Sequence, residues 1–142
     1  MLCEPLPTKY EVLHACRGVE FDRHPILRAA HALTELHTRH SDAGCSATAD
    51  MDRQRAQWVA EIDRCVTGSL PPAHGAARVH TETLGAVIDR LAQFTAAAVA
   101  ALADSSDRRL GDAWERLAEL AIGYEDLISE VQSGRRRLPG GP

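Results

Sequence analysis

His80-Thr-Glu-Thr-Leu-Gly-Ala-Val-Ile-Asp-Arg-Leu-Ala92 joins a helix start to the densest cluster of polar side chains in the chain. Thr81 has the hydroxyl an N-cap needs, and Glu82 falls in the first turn, where the helix dipole favours an anion. Behind them Leu84, Val87, Ile88, Leu91, Thr95, Ala98, Val99 and Leu102 keep to one face of a helix. Glu82 and Asp89 are seven positions apart, so they share a face, and it is not the apolar one. From Thr95 to Ala103 there is no charge and alanine dominates every side. A solvated face does not look like that. Close packing on two sides is expected there, from a central position in a bundle or from a second subunit.

Working outward, the same periodicity gives three more long helices. One starts at Pro25, a favourable first helical residue, and runs through Ile26, Leu27, Ala30, Leu33, Leu36 and His37 to about His40, with Ser41-Asp-Ala-Gly ending it. After a small-residue loop, Asp50 caps the next, whose inward stripe is Met51, Arg55, Trp58, Ile62 and Cys65 and which ends at Gly68. Glu61 borders that stripe and Asp63 points away from it. Thr67 to Val79, with Pro71-Pro72 and Gly75, is the longest break and reads as a crossing loop. Asp104-Ser-Ser-Asp is a tight connection to the last helix, which carries Leu110, Trp114, Leu117, Ala121, Tyr124, Ile128 and Val131 and stops at Ser133-Gly134. Trp58 and Trp114 are expected in the core. The fold class is therefore all-α, an antiparallel four-helix bundle with helices near 25–40, 50–67, 81–103 and 107–132 and no strands. It forms a single domain over residues 1–142, with an arm at 1–22, the bundle at 23–133 and a basic tail at 134–142. Within the arm, Tyr10, Leu13 and His14 give a pattern sufficient for one or two helical turns.

Composition agrees and excludes some functions. The 44% hydrophobic content rests on Ala, Leu and Val, with two each of Trp, Tyr and Phe, a balance that favours helices over sheets. A net charge of −4 offers no global basic field for nucleic acid or an anionic membrane. Cys3, Cys16, Cys45 and Cys65 match neither a CxxC pair nor a zinc spacing, so they are expected as reduced thiols. Met1 to Val12 lacks the apolar core of a signal peptide and no fully apolar run reaches the length of a membrane span, which points to a cytoplasmic protein.

Several polar constellations are candidates for chemistry. His80, Glu82, Asp89 and Arg90 offer a base, two carboxylates and a cation, enough for acid–base work or for gripping a small polar ligand if Glu61, or Glu119 and Tyr124, approach from neighbouring helices. The plain alternative puts Glu82 on the helix dipole and Arg90 on a partner such as Glu119. His31 and Glu35 form an i, i+4 pair with His37 and His40 further along, a ligand-like order for a metal, although a His–Glu hydrogen bond needs none. Arg135, Arg136 and Arg137 suit either a phosphate or the helix dipole they follow. Gly85 and Gly123 lie inside helices at a cost of about 1 kcal/mol each, which close backbone approach would offset.

His24-Pro-Ile-Leu-Arg-Ala-Ala-His-Ala-Leu, Glu61-Ile-Asp63, the His80 to Ala92 stretch, Leu117-Ala-Glu-Leu, Tyr124-Glu-Asp-Leu and Gly134-Arg-Arg-Arg-Leu-Pro together resemble the actinobacterial branch of the domain of unknown function 4254 family, over roughly residues 22–139. The resemblance implies a small helical bacterial protein and carries over no activity or cofactor. Three functions follow as expectations. The first is a pocket for a small polar molecule, walled by His80, Glu82, Asp89 and Arg90. The second is a homodimeric adaptor joined through Ala96, Ala97 and Ala100. The third is a metal site on His31 and Glu35.

Overall fold

The computed structural model describes residues 5–43, 48–103 and 106–140. Among these the chain forms helices α1 (Lys9–Cys16), α2 (Pro25–Ala43), α3 (Thr48–Ser69), α4 (Leu84–Leu102) and α5 (Asp107–Gln132), with two-residue strands β1 (Arg78–Val79) and β2 (Arg136–Arg137). The all-α class holds, with five helices where four were expected. The small-residue loop at 44–47, the turn residues 104–105, and Cys3 and Cys45 lie outside the described residues. Cys16 is a buried free thiol.

α4 is the organising element, since it packs against each of the other four helices. Its large apolar residues Leu84, Val87, Ile88 and Leu91 are buried as the stripe predicts. A second row, Gly85, Asp89, Ala92 and Ala96, is buried beside it, so the covered arc is much wider than the apolar residues alone mark out. Further along the packing opens. Val99 and Leu102, expected inside, are 49% and 60% exposed, and Ala97 and Ala100 face solvent with them. In length and hydropathy α4 alone would also suit a membrane span, and here it is the core helix of a bundle.

The start of α4 falls two residues later than Thr81 indicates. Thr83 is the N-cap, its hydroxyl accepting from Ala86 N–H at 3.1 Å. The shift has a tertiary cause. His80 N–H donates to the Arg137 carbonyl at 2.7 Å, and β1 pairs in parallel with β2, Arg78 opposite Arg136 and Val79 opposite Arg137, so the chain before Thr83 is held extended. Glu82 therefore sits outside the helix. A second cap comes from α3, where Asp63 Oδ1 accepts from Gly85 N–H at 2.8 Å. Asp63 thus faces α4, contrary to the expectation that it points away, and Glu61 is the exposed one, paired with Arg64.

The arm is part of the bundle. Thr8 and Glu11 form a reciprocal capping box at the start of α1, and Val12, Ala15 and Cys16 are buried against α2 and its neighbours, while Tyr10 is exposed. Leu6 and Pro7 are buried too, and the Pro7 carbonyl accepts from the Tyr124 hydroxyl at 2.7 Å. Tyr124 is fully buried in the core, and burial raises the pKa of its phenol strongly. Its hydroxyl ties α5 to the segment ahead of α1. At the far end, α5 closes in a Schellman motif on Gly134 (φ +78), with Gly134 N–H on the Val131 carbonyl and Arg135 N–H on that of Glu130. The tail then returns as β2, a pairing that replaces the strandless tail expected. Trp58 is half-buried against the core, whereas Trp114 is exposed on α5.

The two mid-helix glycines should respond oppositely to alanine. A Cβ on Gly85 would lie 2.6 Å from both the Val59 carbonyl oxygen and Asp63 Oδ1, while one on Gly123 meets nothing within 4 Å. Gly85→Ala should cost about 2–4 kcal/mol by forcing α3 and α4 apart, and Gly123→Ala should gain roughly 0.5–1 kcal/mol from helix propensity. Urea unfolding of both variants against wild type measures this.

Candidate functional site

The buried row on α4 places one charge where three helices meet. Asp89 is 6% exposed, and both its oxygens are taken by residues of other helices. His37 of α2 donates from Nε2 to Oδ1 at 2.8 Å, and Arg55 of α3 donates from Nε to Oδ2 at 2.7 Å. His37 follows the buried Leu33 and Leu36 along the inner side of α2, and Arg55 precedes Ile62 on the stripe of α3, so ordinary helical periodicity delivers both inward. Gly85 and Ala92 flank Asp89 on the same side of α4, and their size lets α2 and α3 come within reach of a short carboxylate.

The electrostatics follow from burial. Desolvation pushes the Asp89 carboxyl upward, but the hydrogen bonds from His37 and Arg55 and their positive charge outweigh it, so the group titrates below its ordinary value. Burying an unpaired carboxylate costs several kcal/mol, and here two donors compensate it. The carboxylate also fixes the ring. With Nε2–H committed to Asp89, a neutral His37 carries its lone pair on Nδ1. His37 and Arg55 both line a cavity of about 130 Å³, whose wall also includes His40, Asp52 and Gln93. An oriented imidazole, an arginine only half exposed and a second histidine thus share one small concave surface.

The candidates read from sequence do not assemble into a single pocket. Arg90 reaches Glu82, eight residues back, and not Glu119, although Arg90 and Glu119 border one open groove. The placement of Glu82 outside the helix separates it from Asp89, so the expected carboxylate pair does not form. His80 is tied through its backbone to Arg137 and contributes to the field that lowers the Glu130 pKa, where the hydrogen bond from Arg136 is the main cause. Arg135 donates to the Ser133 hydroxyl and Arg136 pairs with Glu130, which leaves Arg137 exposed. His31 Nε2 lies 3.1 Å from Glu35 Oε1, with Phe21 stacked on the His31 ring at 3.9 Å and its buried Nδ1 unpartnered. No third donor joins them, and no group of three or more metal-ligating side chains occurs among the described residues. The sequence pattern places His37 only in the metal-like order on α2 and Arg55 only on the inward stripe of α3, and does not bring the two together. Their signal was present, because a histidine and an arginine on inward stripes require a buried acceptor.

The fold and site define an all-α protein whose central helix carries a buried carboxylate shared between a histidine and an arginine. Residues 34–139 match the family described as Protein of unknown function (DUF4254), and the chain belongs to that family. The match takes in His37, Arg55 and Asp89 alike. No curated protein and no solved structure matches the chain.

Asp89→Asn keeps the shape of the side chain and removes its charge. It should destabilise the protein by about 1–3 kcal/mol, the lower part of the range reflecting the freedom of half-exposed Arg55 to turn to water. The pH dependence has a definite sign. A carboxyl whose pKa is depressed on folding stabilises above its unfolded value of about 3.9, and that contribution is lost as pH falls through the lower folded value. The difference between wild type and Asp89→Asn should shrink as the pH falls below about 4 in urea titrations.

Proposed function

We propose that this protein binds a small polar molecule in the cavity between α2, α3 and α4, with His37 as the group that exchanges a proton with it. Arg55 and Asp89 set the orientation and charge of that imidazole, and His40 and Gln93 supply further polar contacts. One observation carries the reading: the two donors that neutralise the buried Asp89 are also walls of a cavity. A purely structural junction gains little from such a cluster, since well-packed apolar residues of the same volume commonly give equal or greater stability. The Asp89–His37 pair is also the arrangement by which enzymes hold an imidazole in one tautomer for general acid–base work.

The test is retention of metabolites. Wild-type protein equilibrated with the small-molecule fraction of a bacterial extract, washed by ultrafiltration and read by mass spectrometry, should retain a polar compound. Protein carrying His37→Gln, whose amide can still donate to Asp89, should remain folded and lose it. A retained set identical in the two proteins, or an empty one in wild type, would overturn the proposal.

A second reading is favoured by the uncovered end of α4. Val99 and Leu102 stand exposed in a helix segment without charge, beside an open groove of about 640 Å³ that includes Ala96 and the α2 residues Thr34 and Thr38. We infer self-association of two copies through this face. Ala96 is already buried within the chain, so Ala97, Val99, Ala100 and Leu102 are the residues left to form the contact. Sedimentation should show a wild-type dimer that Val99→Glu and Ala100→Glu dissociate; a wild-type monomer at about 50 μM would retire the idea.

A further inference from the structure

A second cavity lies apart from the His37 site, where the C-terminal part of α3, the start of α4, the end of α5 and β2 come together. It measures about 40 Å³, and Val66, Leu70, Leu84, Val131 and Leu138 make its interior aliphatic. That is room for only a few carbon-sized groups, and walls of this kind hold water poorly. Its charged residues are Arg136, Arg137 and Asp63. Their commitments differ. Arg136 is paired with Glu130, and Asp63, the one acid on the wall, has Oδ1 on Gly85 N–H. The Arg137 guanidinium is exposed and makes no hydrogen bond or ion pair among the described residues. The backbone that carries it is fixed, through the pairing of Val79 with Arg137 and the bond from His80 N–H to the Arg137 carbonyl.

An aliphatic interior with an uncommitted guanidinium at its edge selects for one kind of molecule. We propose that this cavity binds a small aliphatic monocarboxylate, its branched hydrocarbon end among Leu70, Leu84 and Val131 and its carboxylate on Arg137. Arginine matches a carboxylate by two parallel N–H donors, while the small cavity takes only the branched tip of the body. A longer or more polar body would meet the aliphatic wall. The site is independent of the His37 cluster and stands whether or not that cluster has a ligand.

The experiment is a ¹⁵N–¹H titration of the full chain with 3-methylbutanoate, with acetate and 3-methylbutan-1-ol as the anion without the body and the body without the anion. Saturable shifts centred on the amides of Thr67, Leu84 and Leu138 are expected for 3-methylbutanoate, with both controls at least about tenfold weaker. Arg137→Gln should weaken 3-methylbutanoate about tenfold and leave the unfolding midpoint unchanged, because its side chain has no internal partner to lose. Arg137→Lys should restore part of the affinity. Absence of saturable shifts up to about 50 mM, equal binding of the alcohol, or full affinity in Arg137→Gln would each overturn the proposal. Equal binding of acetate would do so as well, because it removes the role of the aliphatic interior.

Discussion

The distance between α3 and α4 governs much of this structure. Gly85 brings the two backbones close enough that Asp63 of α3 caps the start of α4, and one turn further on Arg55 of the same helix reaches a buried carboxylate. Interiors are packed like organic crystals, so such an approach cannot be relaxed locally without opening space along the whole contact. Asp89 is consequently held by geometry as much as by charge. Its side chain is short, and it spans to His37 on one side and Arg55 on the other only because both helices lie close to α4.

The helices were legible because each long one carries a clear apolar stripe and a recognisable end. Gly134 at the close of α5 and Pro25 at the start of α2 mark boundaries that sequence and structure share. Large apolar residues alone predict too narrow a buried arc for α4, because Gly85, Ala92 and Ala96 mark a second buried row by being small. With that row unseen, Asp89 fell on what looked like a polar face and was grouped with Glu82 and Arg90. The cap was misplaced for a different reason. Thr81 and Thr83 are equally good by local chemistry, and the choice between them is made by the pairing of β1 with β2, a contact between residues nearly sixty positions apart that no local pattern announces.

A polar group at the centre of a small bundle is costly and constrains what the family can do with it. Three helices must keep their relative positions for the His37–Asp89–Arg55 cluster to stay satisfied, so the cavity wall they share is preorganised without a bound molecule. By contrast, the polar residues near the start of α4 are used mostly for architecture. Glu82 holds Arg90, Asp63 and Thr83 cap the helix, and His80 anchors the tail through its amide. The richest polar stretch of the sequence thus serves to fix the frame, and the more chemically capable cluster lies where the sequence is least conspicuous.

The bond from Tyr124 to the Pro7 carbonyl joins residues 117 positions apart. Closing so long a loop carries an entropic cost that local helix formation does not, so this contact belongs among the last to form. During synthesis α1 emerges well before α5, and it lacks the hydroxyl that completes its docking until α5 has been made. Because α1 packs mainly on α2, Val12 and Ala15 can be covered before α5 exists, and the Tyr124 bond then fastens the segment ahead of α1 to a helix already seated on the α2–α3–α4 core.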